Sequence, residues 1–181
     1  MNKSFSEAIY DIFQQIAKHN RELGFHEKVT VYLAGGAAVH FYEHGRRSDD
    51  VDAIMAPKRP IIPQDLSAIW NNNGTLESVD FDATYNPTFG LLHEDYMDRA
   101  HFLKEIDESI LLYVLHPIDL VITKLLRFSD VDAEDIEALV KHQAFDITQF
   151  EVLAKDALDV QMVPKHNRHQ IQWVIDIYNN K

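Results

Sequence analysis

The chain has 181 residues, of which 46% are hydrophobic and 25% charged, so it has the length of one domain and can bury a core without covalent staples. It has no cysteine, which excludes a disulfide framework, a thiolate zinc site and a cysteine nucleophile. With 17 Lys and Arg against 29 Asp and Glu, the net charge of −12 disfavours non-specific nucleic-acid binding while leaving room for a local basic pocket.

Asp119 and Lys124 interrupt the longest apolar stretch, Ile110 to Leu126, so no run reaches the ~18–20 residues of a membrane span. Met1 to Ala17 mixes charges early and has no signal-peptide core. The expectation is a soluble cytoplasmic protein with no membrane partner.

In chain order, Phe5, Ala8, Ile9, Ile12, Phe13, Ile16 and Ala17 repeat at helical spacing and predict a helix from Phe5 to Leu23, closed by Gly24. Val29 to Ala34 reads as a strand, ended by Gly35-Gly36. Ala37 to His44 predicts a short helix, and Val51 to Met55 a second strand. Gln64 to Asn72 reads as a helix that the Asn71-Asn72-Asn73-Gly74 run stops, with Trp70 on its apolar face. Leu76 to Thr84 and Phe89 to Tyr96 read as strands, and Ala100 to Glu105 with Ser109 to Leu115 as a hairpin. After Pro117 the period is helical, over Ile118–Phe128, Ala133–His142, Ile147–Ala157 and Asn167–Tyr178. The fold expected is α/β (α+β): a mixed sheet flanked by helices over 1–115, and a helical part over 116–181 packed on it as one structural unit.

The chemistry concentrates in Leu33-Ala34-Gly35-Gly36-Ala37-Ala38 and Arg46-Arg47-Ser48-Asp49-Asp50-Val51-Asp52. In a strand, residues i and i+2 face one way, ~6.5–7 Å apart, so Asp50 and Asp52 project side by side while Val51 points inward. Two carboxylates so placed repel each other, and a hard divalent cation relieves the cost. Between a strand and a helix, Gly35-Gly36 lets the backbone approach a bulky anion, and the free N–H groups of the next helix favour phosphate. A plain tight turn and a solvated acidic turn are the ordinary readings of each half, and the conjunction of the two is what points to a nucleotide. Arg46 and Arg47 are suited to clamp phosphate, or else to offset Asp49.

This pattern, Gly-Gly, short helix, Asp-x-Asp, resembles the signature of the DNA polymerase β-like nucleotidyltransferase superfamily. It is most similar to small bacterial nucleotidyltransferases related to abortive-infection toxins. A second block also resembles that family: His116-Pro117-Ile118-Asp119-Leu120 through Lys124-Leu125, then Asp132-Ala133-Glu134-Asp135-Ile136. The resemblance spans about Leu33 to Leu139. It implies a nucleotidyltransferase-like sheet and metal-dependent transfer of a nucleoside monophosphate from an NTP, with pyrophosphate leaving. It carries Gly35 and Gly36 over to the phosphate loop, Asp50 and Asp52 to the Mg²⁺ (or Mn²⁺) carboxylates, and Lys124 and Asp135 to positions facing the nucleotide. The chain departs from the family in two respects. Ala37 stands where many relatives offer a hydroxyl. The third carboxylate is open between the i, i+2 pair Asp80 and Asp82 and the segment His93-Glu94-Asp95, with Asp95 preferred because Tyr96 and Arg99 nearby resemble the family's pattern.

The expected function is therefore NMP transfer to an unidentified acceptor: an RNA end, a protein or a small molecule. A long RNA needs a basic groove from Arg46, Arg47, Lys58, Arg59, Lys124 and Arg127. The alternatives are a catalytically inactive binding or regulatory module and a toxin–antitoxin-type subunit with a protein partner. The acid-rich stretch from Ser129 to Glu137 reads as a capped helix start, because the glycine and ligand spacing of a calcium loop are missing. His40 and His44 lie four apart, but Phe41 stands where a zinc protease motif needs Glu, and His166 and His169 lack a third ligand.

Overall fold

The computed structural model describes residues 3–56, 59–86, 90–162 and 168–180. Lys58, Phe89, His166 and Asn167, named above, lie outside the described residues. The chain divides into two compact units, Met1–Tyr85 with His101–Val114, and Asn86–Ala100 with Leu115–Lys181. The first holds a sheet and the second is helical, and residues 86–100 cluster with the helices. Among the described residues, no helix is long and apolar enough to cross a membrane.

The first unit opens with α1 (Phe5–Glu22), started by a capping box in which Ser4 and Glu7 each satisfy the other's backbone N–H. Its predicted stripe from Phe5 to Ala17 is buried, and Gly24 follows at φ +77°. Then come β1 (Val29–Ala34), the one-turn α2 (Gly35–Val39) and β2 (Asp50–Ala56). The sheet is completed by β3 (Ser67–Asn72), β4 (Thr75–Phe81), β5 (His101–Ile106) and β6 (Ile110–Val114). Strand order is β3-β4-β2-β1-β6-β5. β1 runs antiparallel to β2 and parallel to β6, and β2 runs parallel to β4. One face carries Val31, Leu33, Val51, Val79 and Leu112, all fully buried, and α1 packs against β3, β4 and β5.

The short helix expected over Ala37–His44 is α2, which begins at Gly35 and ends at Val39, and two other elements differ in kind from expectation. Residues 67–72 form a strand, not a helix. Ala68 and Trp70 are buried while Ile69 between them is 59% exposed, a period of two that short apolar runs hide from a sequence reader. Asn73 and Gly74, both at positive φ, make the tight turn that joins β3 to β4, so this run turns a hairpin. Trp70 is buried as expected, but on a strand. Within the described part of Phe89 to Tyr96 there is no strand: the segment enters α3 (Tyr96–Arg99). The β5–β6 hairpin is as read, with Asp107 and Glu108 at positive φ in its turn.

The helical unit consists of α3, α4 (Pro117–Lys124), α5 (Asp130–Val140), α6 (Ile147–Val160) and α7 (His169–Asn179). Charged side chains tie it together from inside. Arg99 grips the fully buried Asp119 with two hydrogen bonds of 2.9 and 2.6 Å. Lys124, also buried, donates to Asp132 at 3.2 Å and Asp135 at 2.8 Å. Asp132 further accepts from Arg127 twice at 2.7 Å, and it closes the Ser129 capping box that starts α5. Burial opposes ionisation of Asp132, but the Arg127 guanidinium, the Ser129 hydroxyl and N–H and the Lys124 ammonium outweigh it and hold its carboxyl well below the usual carboxylate range.

Removing one member of a buried ion network leaves the others uncompensated, at a cost of about 3–5 kcal/mol. Asp132→Asn is expected to lose stability of that order at pH 7 in urea unfolding. Since the folded carboxyl titrates below its ordinary value of 3.8, its contribution is complete above that pH and fades as pH falls below it. The gap between wild type and Asp132→Asn therefore narrows from pH 7 to pH 3. A gap that stays constant would assign the loss to packing rather than charge.

Candidate active site

The candidate site forms where β1 and β2 meet α2. Val51 is fully buried, so strand geometry turns Asp50 and Asp52 to the opposite face, where Asp50 is exposed and Asp52 partly so. Asp52 is in register with Ala34, the residue before Gly35. Gly35 has φ +59°, and a Cβ there would meet Asp52 Oδ2 at 1.9 Å. The first glycine is thus required twice over, by its backbone conformation and by the carboxylate that leans on it. Gly36 faces a second pair of side chains: a Cβ on it would lie 2.9 Å from both Arg46 Nη2 and Ser48 Oγ. The Ser48 hydroxyl in turn donates to Asp50 Oδ1 at 3.0 Å.

The other neighbour of β2 is β4, and here the structure brings up a residue that sequence reasoning carried only as an alternative. Asp80 is the register partner of Asp50 in the parallel β2–β4 pair, and backbone bonds from Asp80 to Asp49 and from Asp82 to Val51 hold that register. With Val79 and Phe81 buried, the exposed Asp80 projects to the face of Asp50 and Asp52. Asp82 is engaged in the turn after β4, accepting from the Thr84 N–H at 2.7 Å and its hydroxyl at 2.6 Å. The only signal in the sequence was that Asp80 and Asp82 repeat the i, i+2 spacing of Asp50 and Asp52. A cleft of about 810 Å³ opens beside Asp80, lined also by Gln64, Asp65, Leu66 and Ser67.

Of the remaining residues named from sequence, some belong to the helical unit and some to the sheet unit. Asp95 precedes α3 in the helical unit, with its carboxylate 4.0 Å from His93 Nδ1. Lys124 and Asp135 are also in that unit, bonded to each other. Arg47 packs its guanidinium 5.6 Å from the Phe5 ring and 5.2 Å from the Trp70 ring, with bonds to the His44 and Arg46 carbonyls. Its terminal nitrogen also lies 2.9 Å from His40 Nδ1. His40 is engaged on both ring nitrogens, with Ser6 Oγ and the Arg46 carbonyl each at 2.9 Å. Burial lowers its pKa and the Arg47 and His44 charges add to that, against the pull of the Arg46 carbonyl. Arg59 donates to the Ala83 carbonyl.

The donor set is hard: the carboxylate oxygens of Asp50, Asp52 and Asp80, with no histidine on β1, β2 or β4. Among the described residues, no three His, Asp or Glu side chains are grouped so as to hold a metal ion between them. The arrangement offers two adjacent carboxylates on β2, a third on β4, and a cation and a hydroxyl over the glycine turn.

No curated protein matches the chain. A solved structure described as an antigenic nucleotidyltransferase-like protein from Paracoccidioides brasiliensis is similar at 15% identity and a TM-score of 0.44, covering 92% of each chain, a likeness too distant to bear on function. The family model described as nucleotidyltransferase of unknown function (DUF6036) matches residues 7–180, nearly the whole chain including every site residue discussed above, and the chain belongs to that family.

Proposed function

We propose that the protein is a metal-dependent nucleotidyltransferase, moving a nucleoside monophosphate from an NTP to an acceptor hydroxyl or phosphate and releasing pyrophosphate. One observation carries this reading beyond family membership: Asp50, Asp52 and Asp80 share one sheet face on adjacent strands, beside a glycine turn against which Asp52 rests. Like charges gathered on one face are costly unless a cation joins them. Mg²⁺ or Mn²⁺ suits such donors, since it accepts one or two carboxylates and completes its shell with water and substrate phosphates. Asp50 and Asp52 would hold the ion, which when bound neutralises phosphate charge and orients the substrate.

The protein's own groups do the rest. The acceptor oxygen attacks the α-phosphorus, and the new P–O bond forms as the bond from the α-phosphorus to the bridging oxygen of pyrophosphate breaks. Where the acceptor is a hydroxyl, its proton passes to Asp80, which takes the role the sequence pattern gave to Asp95. The cleft that Asp80 lines gives the acceptor its approach. Ser48 steadies Asp50 through its hydrogen bond. Arg47, Lys124 and Asp135 have no part in this scheme, because their charges are already packed or paired. The rival reading, an inactive module that binds nucleotide, has in its favour the lack of a closed three-residue metal cluster among the described residues. It differs in releasing no pyrophosphate.

The test is thermal unfolding with each of four NTPs, with and without Mg²⁺ or Mn²⁺. A ligand at about 100 times its Kd adds about 2.7 kcal/mol, or roughly 5–10 °C for a chain of this length. A metal-dependent rise of that size, lost in Asp52→Asn, is expected, and a rise that persists in Asp52→Asn sinks the proposal. Asp80→Asn should keep the rise but slow pyrophosphate release by about 10²–10⁴-fold, the usual worth of a general base. Gly35→Ala must displace the Asp52 carboxylate and strain the backbone. It is expected to abolish the metal-dependent rise and lower stability by about 1–3 kcal/mol, whereas wild-type behaviour in this variant would remove the glycine turn from the site.

A further inference from the structure

One arginine anchors the segment that leads into the acidic strand, and the ring that receives it can take a proton. Residues 40–49 join α2 to β2. Within them, Arg47 Nη1 donates to the His44 carbonyl and, at 2.9 Å, to the Arg46 carbonyl. Its guanidinium lies 5.6 Å from the Phe5 ring of α1 and 5.2 Å from the Trp70 ring of β3. The same Nη1 stands 2.9 Å from His40 Nδ1, while His40 Nε2 is 2.9 Å from Ser6 Oγ on α1. His40 is buried and meets Phe5 edge-on at 4.9 Å. Arg47 and His40 thus tie this segment to α1 and β3. Directly after them come the Ser48 bond to Asp50 and the Asp80 N–H bond to the Asp49 carbonyl, so the place of the carboxylates follows the place of the segment.

An arginine nitrogen only donates, so its contact with His40 needs an unprotonated Nδ1. Once His40 takes a proton, two donors and two positive charges face each other at a buried position. Among the described residues, the charged or titratable groups that bear on His40 are Arg47 and His44, whose ring lies 5.9 Å away. From α1 it receives Phe5 and the Ser6 hydroxyl, which do not neutralise an imidazolium. Burial, with the Arg47 and His44 charges, holds His40 below its ordinary value of 6.5 against the pull of the Arg46 carbonyl. The folded ring then holds fewer protons than a free one, so the contact is complete above pH 6.5 and weakens as pH falls below it.

We propose that Arg47 is a positioning residue held in place by neutral His40, and that protonation of His40 releases residues 44–49 and with them the start of β2. Arg47 touches no ligand in the scheme above and acts through the backbone it holds. The consequence for catalysis rests on the nucleotidyltransferase reading, while the release itself is read without a nucleotide. Amide hydrogen exchange, corrected for its intrinsic pH dependence, is followed from pH 8 to pH 5 in residues 46–52, with the β5–β6 hairpin as internal reference. Protection of 46–52 should fall by about 10-fold in wild type while the hairpin holds. His40→Gln should remove the pH dependence, His44→Gln should keep it, and Arg47→Met should lower protection already at pH 8.

If His40→Gln does not fold, titration of the His40 ring by NMR carries the test. Its midpoint should lie below 6.5 in wild type and in Arg47→Lys, and rise in Arg47→Met, a change that a purely packing role of Arg47 would not produce. Protection that is flat with pH in wild type overturns the proposal, as does an equal fall in the hairpin or an unchanged His40 midpoint in Arg47→Met. Acid release of 46–52 in a protein that transfers no nucleotide at any pH sinks the transferase reading and upholds this one.

Discussion

The candidate site depends on the burial of one side chain, Val51. With Val51 in the core, the period of two in β2 turns both of its aspartates to the other face, where charge repulsion would destabilise the strand if nothing opposed it. The neighbours of β2 then decide what surrounds them. Antiparallel β1 ends at the glycine turn, whose first residue has no room for a side chain because Asp52 fills it. Parallel β4 adds Asp80. The glycines, read from sequence as room for a phosphate, serve first as room for the protein's own Asp52, Arg46 and Ser48.

The helical unit follows a different logic. It buries Asp119, Asp132, Asp135 and Lys124, charges that belong in an interior only when each finds a partner. Arg99 with Asp119 joins α3 to α4, and Lys124 with Asp132 and Asp135 joins α4 to α5. Such networks add little net stability over an apolar core, but removing one partner leaves a buried charge uncompensated. This gives the second sequence block, from His116 to Ile136, a structural account. Its Lys and Asp residues stand at helical spacing because they meet each other across two helices. The family resemblance carries Lys124 and Asp135 to positions facing a nucleotide, and in the structure the two are hydrogen-bonded to each other.

Legibility followed the range of the interaction. The α1 stripe, the β1 strand and the β5–β6 hairpin were readable because their patterns are local and complete. The β3 strand was not, because Ser67 to Asn72 is too short to separate a period of two from helical spacing, and the Asn73-Gly74 turn was taken as a helix stop. Asp50 and Asp52 could be paired from strand geometry alone. That Asp80 stands beside Asp50 could not be read in the same way, because it requires knowing that β4 lies parallel beside β2 in the register Asp50 to Asp80. Arg46 and Arg47 are indistinguishable as letters, and they separate only where the chain presents one to Gly36 and the other to Phe5 and Trp70.

By itself the sequence determined which faces are apolar, that two aspartates share a side of one strand, and that a glycine pair ends the strand before it. Those properties are set by periodicity and by the conformations each residue allows, and both are local. Only the tertiary structure decided that Asp80 stands in register beside Asp50, which arginine reaches the glycine turn, and that Lys124 and Asp135 bind each other. Strand register and side-chain pairing join residues distant in the chain, and that choice depends on how the whole core packs.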